Sequence, residues 1–259
     1  CFGEFVRAHS ADYVMRMIKD LYQNYGLRQF RINDDNFLLF RPRLKEICRR
    51  LTEEGPKIKW SCFARADNID EKTLALMKKA GCWQISYGVE TGSQEIHNIE
   101  NKNLTLEQIE KAIRLTKKAG IRTIGFAMIG HPKESIQTIK QTINFSRILA
   151  LDDFKIVYLV PYPSTPLYQQ AEKYGVLNKD WRKMNAYIEP CFIPYGLTKE
   201  DLIKWRKIVY RKFYFRPKIV FSYLSQIRSP RQAAVLFRGF TSLSALLFKN
   251  KNEYEKETA

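Results

Sequence analysis

Apolar positions along the first 175 residues repeat with one rhythm: a stripe at helical spacing, a stop, then a short run of strand-forming residues. Ser10 caps a stripe at Val14, Met17, Ile18, Leu21 and Tyr22, Gly26 ends it, and LRQFRI follows. Pro42 opens a second stripe (Leu44, Ile47, Cys48, Leu51) that stops at Gly55 before KIKWSCF. Asp70 caps a third, stopped at Gly81 before CWQISYGV. Thr105 and Gln108 form a capping box for a fourth, with Ile109, Ala112 and Ile113, closed at Gly120 before IRTIGFAMI. A fifth helix spans 135–151 and leads to FKIVYLV, and Thr165-Pro166 starts a sixth.

Strands alternating with helices predict parallel βαβ units. Five strands are read, and the first helix has no strand before it. The expectation is therefore an earlier strand ahead of residue 1 and a chain truncated at its start. The fold class predicted is α/β: a partial (β/α)6 TIM-like barrel missing its first strand, over residues 1–175. A basic α-helical C-terminal extension, 176–259, follows, with apolar positions at Leu202, Trp205, Ile208 and Val209, then 219–227, then 233–248.

Composition changes the picture in two ways. With 259 residues, 45% hydrophobic and 27% charged, a packed core is expected and wholesale disorder is not. Lys+Arg 44 against Asp+Glu 27 gives +17, and residues 196–259 carry 14 basic and 5 acidic side chains, or +9 of it. Such a balance asks for an anionic partner: a nucleic acid, a membrane face or an acidic substrate. No nucleic-acid recognition motif is present, which argues against the first. No run of about 18 uncharged apolar residues predicts a membrane span. No secretory pattern is visible either, and the location expected is cytoplasmic, with peripheral contact at the inner membrane face. The five cysteines (1, 48, 62, 82 and 191) show no paired spacing, which suits reduced thiols. Cys48, Cys62 and Cys82 are expected as buried small hydrophobes.

Candidate chemistry gathers after the strands. In parallel α/β proteins the site lies at the strands' C-terminal ends. There the chain places Asn33, Asp34, Asp35 and Asn36; then Arg65 and Asp67; then Glu90, Gly92 and Ser93; then Gly130, His131 and Glu134; then Val160, Pro161 and Ser164. Carboxylates for an amine or hydroxyls, with an arginine for a carboxylate, suit a zwitterionic ribose-bearing ligand. Plainer readings stand beside this one. Asp34 and Asp35 could cap a turn, Arg65 and Asp67 could pair locally, Gly92 and Ser93 could start a helix, and 130–132 could form a tight turn. His97 and His131 could be ligands or proton donors.

The segments FVRAHSADYV, INDDNF, WSCFARAD, GVETGSQ, IGFAMIGHPKES and VPYPSTPLY, in that order across residues 2–168, resemble the radical S-adenosylmethionine (radical SAM) enzymes. The likeness is greatest to the class that carries a cobalamin (B12)-binding domain, which includes methylases and the anaerobic magnesium-protoporphyrin ester cyclase. The basic tail, RKFYFRPKIV and IRSPRQAAVLFRGF, resembles that class too.

The resemblance implies a [4Fe-4S] cluster held by a CxxxCxxC loop, S-adenosyl-L-methionine on its open iron, and a 5′-deoxyadenosyl radical that attacks an unreactive carbon. It implies that Asp34, Asp35 and Asn36 face the methionine amine, that Arg65 and Glu90 meet the methionine or ribose, and that Ser93 belongs to the same cofactor site. Gly130 would approach the adenosine, and Val160 and Pro161 would border the adenine. CxxxCxxC is absent; Cys1 stands near the place of its last cysteine and is the expected metal ligand. Cobalamin is expected in a preceding domain, with methylation as the reaction. The partners implied are a small molecule (lipid, tetrapyrrole or natural product) and an electron donor such as flavodoxin or ferredoxin. The alternatives are a cobalamin-independent radical SAM oxidoreductase, cyclase or methylthiotransferase, and, in another class, an inactive fragment that binds membrane surfaces or nucleic acid.

Overall fold

Local signals at the helix ends are met by local hydrogen bonds. In the computed structural model, which describes residues 6–225 and 227–248, Ser10 caps α1 (Ala11–Tyr25) by accepting from the Tyr13 amide at 3.2 Å. Asp70 caps α3 (Glu71–Lys79) in the same way. Thr105 and Gln108 close both bonds of the capping box of α5 (Leu106–Lys118). Each such cap satisfies an amide that the first turn leaves without a partner.

Between these helices, and α2 (Arg41–Glu53), α4 (Gln94–Ile99) and α6 (Ile136–Ile148), run five strands: β1 (Gln29–Ile32), β2 (Lys59–Ala64), β3 (Cys82–Glu90), β4 (Arg122–Ile129) and β5 (Asp153–Tyr158). All neighbours pair in parallel, in the order β1-β2-β3-β4-β5. Sequential parallel order is that of a barrel sector, and this is the α/β arc that the repeat predicts. Trp60, Tyr87, Ile85 and Phe154 from the strands are buried with Leu44, Leu74 and Ile109 from the helices. Full burial of such a side chain contributes about 1.5–3 kcal/mol. Polar atoms of three core side chains are paired: Trp60 Nε1 donates to the Ala80 carbonyl (2.8 Å), and the Tyr87 and Thr116 hydroxyls bond at 2.6 Å. Cys48, Cys62 and Cys82 lie in this core, as the apolar stripe and strand positions require.

The far edge of the sheet is covered from the C-terminal side. α8 (Lys199–Tyr214) buries Leu202, Val209 and Phe213 against the barrel. Its Tyr210 hydroxyl accepts from the Ile156 amide (3.3 Å) and donates to the Ile156 carbonyl (2.9 Å). The Tyr214 hydroxyl donates into a fork made by the Phe154 carbonyl (3.0 Å) and the Asp153 carboxylate. Two tyrosines thus take up backbone groups that an edge strand would otherwise expose.

The extension is not helical from its start. After α7 (Pro166–Tyr174), β6 (Gly175–Leu177) pairs antiparallel with β7 (Phe192–Pro194). Pro190, Pro194 and Gly196 interrupt any helix there, and the ribbon is what the backbone can form instead. Beyond α8 lie α9 (Pro217–Leu224) and α10 (Pro230–Phe248), with Phe221, Phe237 and Phe240 exposed. Among the described residues no helix is long and apolar enough to cross a membrane.

Replacing Tyr210 by Phe keeps the ring and strands both Ile156 backbone groups. The expected loss is about 1–3 kcal/mol, read as a lower urea midpoint with an unchanged slope; a midpoint equal to wild type would deny the tyrosine that role.

Candidate active site

At the C-terminal ends of β1, β2 and β3 the backbone leaves a cavity of about 300 Å³, at the small end of ligand pockets. Asp35 reaches it from the turn after β1, Arg65 from the end of β2, and Glu90 from the last position of β3. Phe63 and Phe126 give it an apolar wall, with ring centroids 5.7 Å apart. Gly88 lies in the floor. A methyl group there would stand 2.6 Å from Glu90 Oε1, so glycine keeps that carboxylate where it is.

The charges are balanced around the space. Arg65 donates to Asp67 Oδ2 at 2.8 Å and to the Lys102 carbonyl at 3.2 Å. Lys102 Nζ lies 3.6 Å from Glu90 Oε1. The Asp35 carboxylate makes no hydrogen bond or ion pair among the described residues and is free to receive a donor. A guanidinium beside two carboxylates that face one cavity can bind a group carrying both an amine and a carboxylate.

Glu90 is held in an uncommon conformation. Its φ is 58°, the left-handed region, which costs a non-glycine residue about 1–2 kcal/mol. The register of β3 on β4 shifts between Gly88 and Glu90, so the strand ends in an irregular step there.

Behind Glu90 sits a buried polar cluster. His131 Nδ1 lies 2.6 Å from Glu100 Oε1, and His131 Nε2 lies 3.4 Å from the Glu90 carbonyl. Glu134 accepts from the amides of Gly130 and His131. Burial pushes the His131 imidazole down, but the Glu100 hydrogen bond and the charges of Glu134, Glu100 and Glu90 outweigh it and hold the group up at about 9. Burial pushes Glu100 up; the His131 hydrogen bond reverses this and leaves it below its ordinary value. His97, in the cavity wall, goes the other way: burial lowers it despite the contact of its Nε2 with the Thr91 carbonyl (3.2 Å).

Five of the residues singled out from sequence (Asn33, Asp35, Arg65, Glu90 and His97) line this cavity, and the others lie elsewhere. Asp34 pairs with Arg43 of α2 at 3.3 Å. The Asn36 side-chain oxygen is buried without a partner among the described residues. Ser93 is the buried first residue before α4, and its amide donates to Thr91 Oγ1. Beside it Gly92 packs on α6 so closely that a methyl would meet Thr142 Cα at 2.6 Å. Gly130 faces the β6–β7 ribbon and α8, with the Phe192 carbonyl and Leu202 near it. Val160 packs on Met184 and Cys191, and Pro161 is buried beside it. The ribbon, absent from the sequence reading, occupies the space next to these last loops. Cys1 lies outside the described residues, and among the described residues no group of three His, Cys, Asp or Glu could hold a metal ion.

Lys102, Phe63 and Phe126 were not singled out from sequence. Their only signals are positional: Lys102 sits between two asparagines, Asn101 and Asn103, which the structure shows left-handed, Phe63 lies near the end of β2 and Phe126 midway along β4.

With the geometry in place, the chain can be set beside known proteins. The model of the radical SAM superfamily matches residues 2–146. An uncharacterized methyltransferase of Pyrococcus horikoshii is 31% identical over 220 residues, covering 85% of this chain and 48% of that protein. The anaerobic magnesium-protoporphyrin IX monomethyl ester cyclase of Cereibacter sphaeroides is 28% identical over 226 residues, 86% of this chain and 36% of that one. The chain thus spans about half, or less, of the length of these curated relatives. Among solved structures, the cobalamin-dependent S-adenosylmethionine radical enzyme OxsB aligns with 93% of this chain and 42% of its own, with a TM-score of 0.64 at 17% identity. That likeness concerns the fold alone.

The buried histidine yields a pH prediction. Its folded value is raised from the ordinary 6.5 to about 9, so its contribution to stability is complete below 6.5 and is lost as pH rises through about 9. Urea unfolding of wild type and His131→Asn between about pH 6 and about pH 10 should show a gap that narrows at the alkaline end. Parallel curves would mean that the imidazole carries no proton of structural consequence.

Proposed function

This chain belongs to the radical SAM superfamily, and from that premise we propose that its cavity is the S-adenosylmethionine site of a radical SAM enzyme core. The observation that carries the reading is the meeting of Asp35, Arg65 and Glu90, from three successive strand ends, around one space. Arg65 suits the methionine carboxylate, and Asp35 and Glu90 suit the amine or the ribose hydroxyls. Phe63 and Phe126 offer an apolar wall to a flat ring, and the free Asp35 carboxylate fits such a ligand. Bound beside a reduced [4Fe-4S] cluster, S-adenosylmethionine supplies the family's radical chemistry. The described thiols do not fit that cluster: Cys48, Cys62 and Cys82 are buried in the barrel core, and Cys191 packs in a separate patch with Val160 and Met184.

For the whole protein, the reading is methylation or a related modification of an unreactive carbon in a small molecule, with cobalamin as a further cofactor and a flavodoxin or ferredoxin as electron donor. The methyltransferase and cyclase names among the relatives support it. A lipid, tetrapyrrole or other natural product is the substrate class, and the cytoplasm is the location that goes with it. The basic tail supports peripheral contact with an anionic membrane. α9 and α10 carry Lys218, Arg228, Arg231 and Arg238 on or beside them, together with the exposed Phe221, Phe237 and Phe240.

Two measurements test this reading. Calorimetric titration of S-adenosylmethionine should give binding that Arg65→Ala and Glu90→Ala each weaken about ten- to hundredfold, the loss of one charge-assisted hydrogen bond. Affinity unchanged from wild type in both variants, or no binding by wild type, would remove the ligand from this cavity. Co-sedimentation with anionic and neutral vesicles tests the tail. Binding should be confined to anionic vesicles and fall with salt, at about 1 kcal/mol per basic residue; identical behaviour with both would leave α9 and α10 as solvated helices.

A further inference from the structure

Glu90 lines the cavity in a left-handed conformation that its own side chain does not favour, so something must hold it there. Beside its ladder pairing with Ala127 of β4, the side chain in contact with its backbone is His131, which lines no part of the cavity and is wholly enclosed. Both ring nitrogens of His131 face acceptors: the Glu100 carboxylate at 2.6 Å and the Glu90 carbonyl at 3.4 Å. A neutral imidazole can donate only once, so this geometry asks for the doubly protonated ring. Glu100 begins the loop between α4 and α5. Two residues on, Lys102 holds the Glu90 carboxylate through its ammonium and the Arg65 guanidinium through its carbonyl. Glu134, from the other side, fixes the backbone that presents the ring.

We propose that His131 is a positioning residue: its ring joins the end of β3 to the loop 100–104, and so sets Glu90, Lys102 and Arg65 as one unit around the cavity. The proposal deepens the reading of the cavity as the S-adenosylmethionine site and rests on it only for the ligand measurement. His131 touches neither ligand space nor solvent, so it acts through the other three side chains. The charged groups around it are Glu100 at the start of the loop after α4, Glu90 at the end of β3, Glu134 ahead of α6, and His97 on α4.

The test uses three variants of the whole chain. His131→Phe keeps a ring of similar size without donors. His131→Asn keeps a donor near the Nδ1 position. Glu100→Gln removes the anchoring charge with little change of volume. The first measurement needs no ligand: backbone amide resonances of the 15N-labelled protein. His131→Phe and Glu100→Gln should move the amides of Arg65, Glu90 and Lys102 together and leave those of Leu44 and Ile156 in place. His131→Asn should return them part of the way. The second measurement is calorimetric titration of S-adenosylmethionine at a temperature where each variant is fully folded. Affinity should fall about tenfold or more in His131→Phe, with part restored by His131→Asn.

If the Phe variant does not fold, Glu100→Gln and His131→Asn decide on the same two measurements. Amide changes confined to residues 100 and 131 overturn the proposal, as does unchanged affinity in folded variants of a protein that binds. A wild type that binds no S-adenosylmethionine overturns the reading of the cavity, and the amide measurement then decides the positioning role by itself.

Discussion

Parallel pairing constrains this protein more than any single contact. Because every strand from β1 to β5 runs the same way, each connection must cross back over the sheet, and the strand ends with their turns collect along one rim. The ladder fixes Arg65 and Glu90 on neighbouring strand ends, and Asp35 in the turn after the next strand along. No side-chain interaction could bring residues so distant in sequence together as cheaply. The same constraint leaves a free ladder beyond β5, and α8 answers it with Tyr210 and Tyr214 bonded to strand backbone.

The rim also shows how a folded core supports charge at its border. Arg65, Lys102 and Glu90 face the cavity, where water or a ligand can screen them. Glu100, His131 and Glu134 lie behind them in a low-dielectric interior, where an unpaired charge would be very costly. Their arrangement is acid–base–acid, with backbone amides taking up the second glutamate. Glu100 Oε2 and His97 Nδ1 are buried polar atoms of this region without hydrogen-bond partners among the described residues. A polar cluster of this kind stabilises the fold only while its charges stay paired. Its effect is to fix one geometry, and here the geometry is that of the β3 terminus.

Much of the frame was legible in one dimension. Stripe spacing, caps such as Ser10, Asp70 and Thr105, and glycine stops place α1, α3 and α5 and the five strands within a few residues, because these signals act over a single helical turn. Alternating helices and strands imply parallel pairing, which names the rim, and polar residues after strands name Asp35, Arg65 and Glu90. The same rule also named Asp34, Asn36, Ser93, Gly130, Val160 and Pro161, which the structure places beside the cavity's neighbours rather than in its wall. A residue can follow a strand and still turn to a helix, as Asp34 does toward Arg43, or be covered by a later segment, as Gly130 is by β6–β7.

Sequence by itself determined the alternation of helices and strands from α1 to β5, the direction of those strands and the end of the sheet at which chemistry could occur. These follow from backbone geometry and local apolar periodicity. Tertiary structure alone decided which rim residues share a space, that Lys102 belongs with Glu90 and Arg65, that His131 is an enclosed bridge, and that tyrosines of α8 finish the sheet. Each of these depends on distances between segments tens of residues apart, set by packing of the whole core, and no local pattern carries that information.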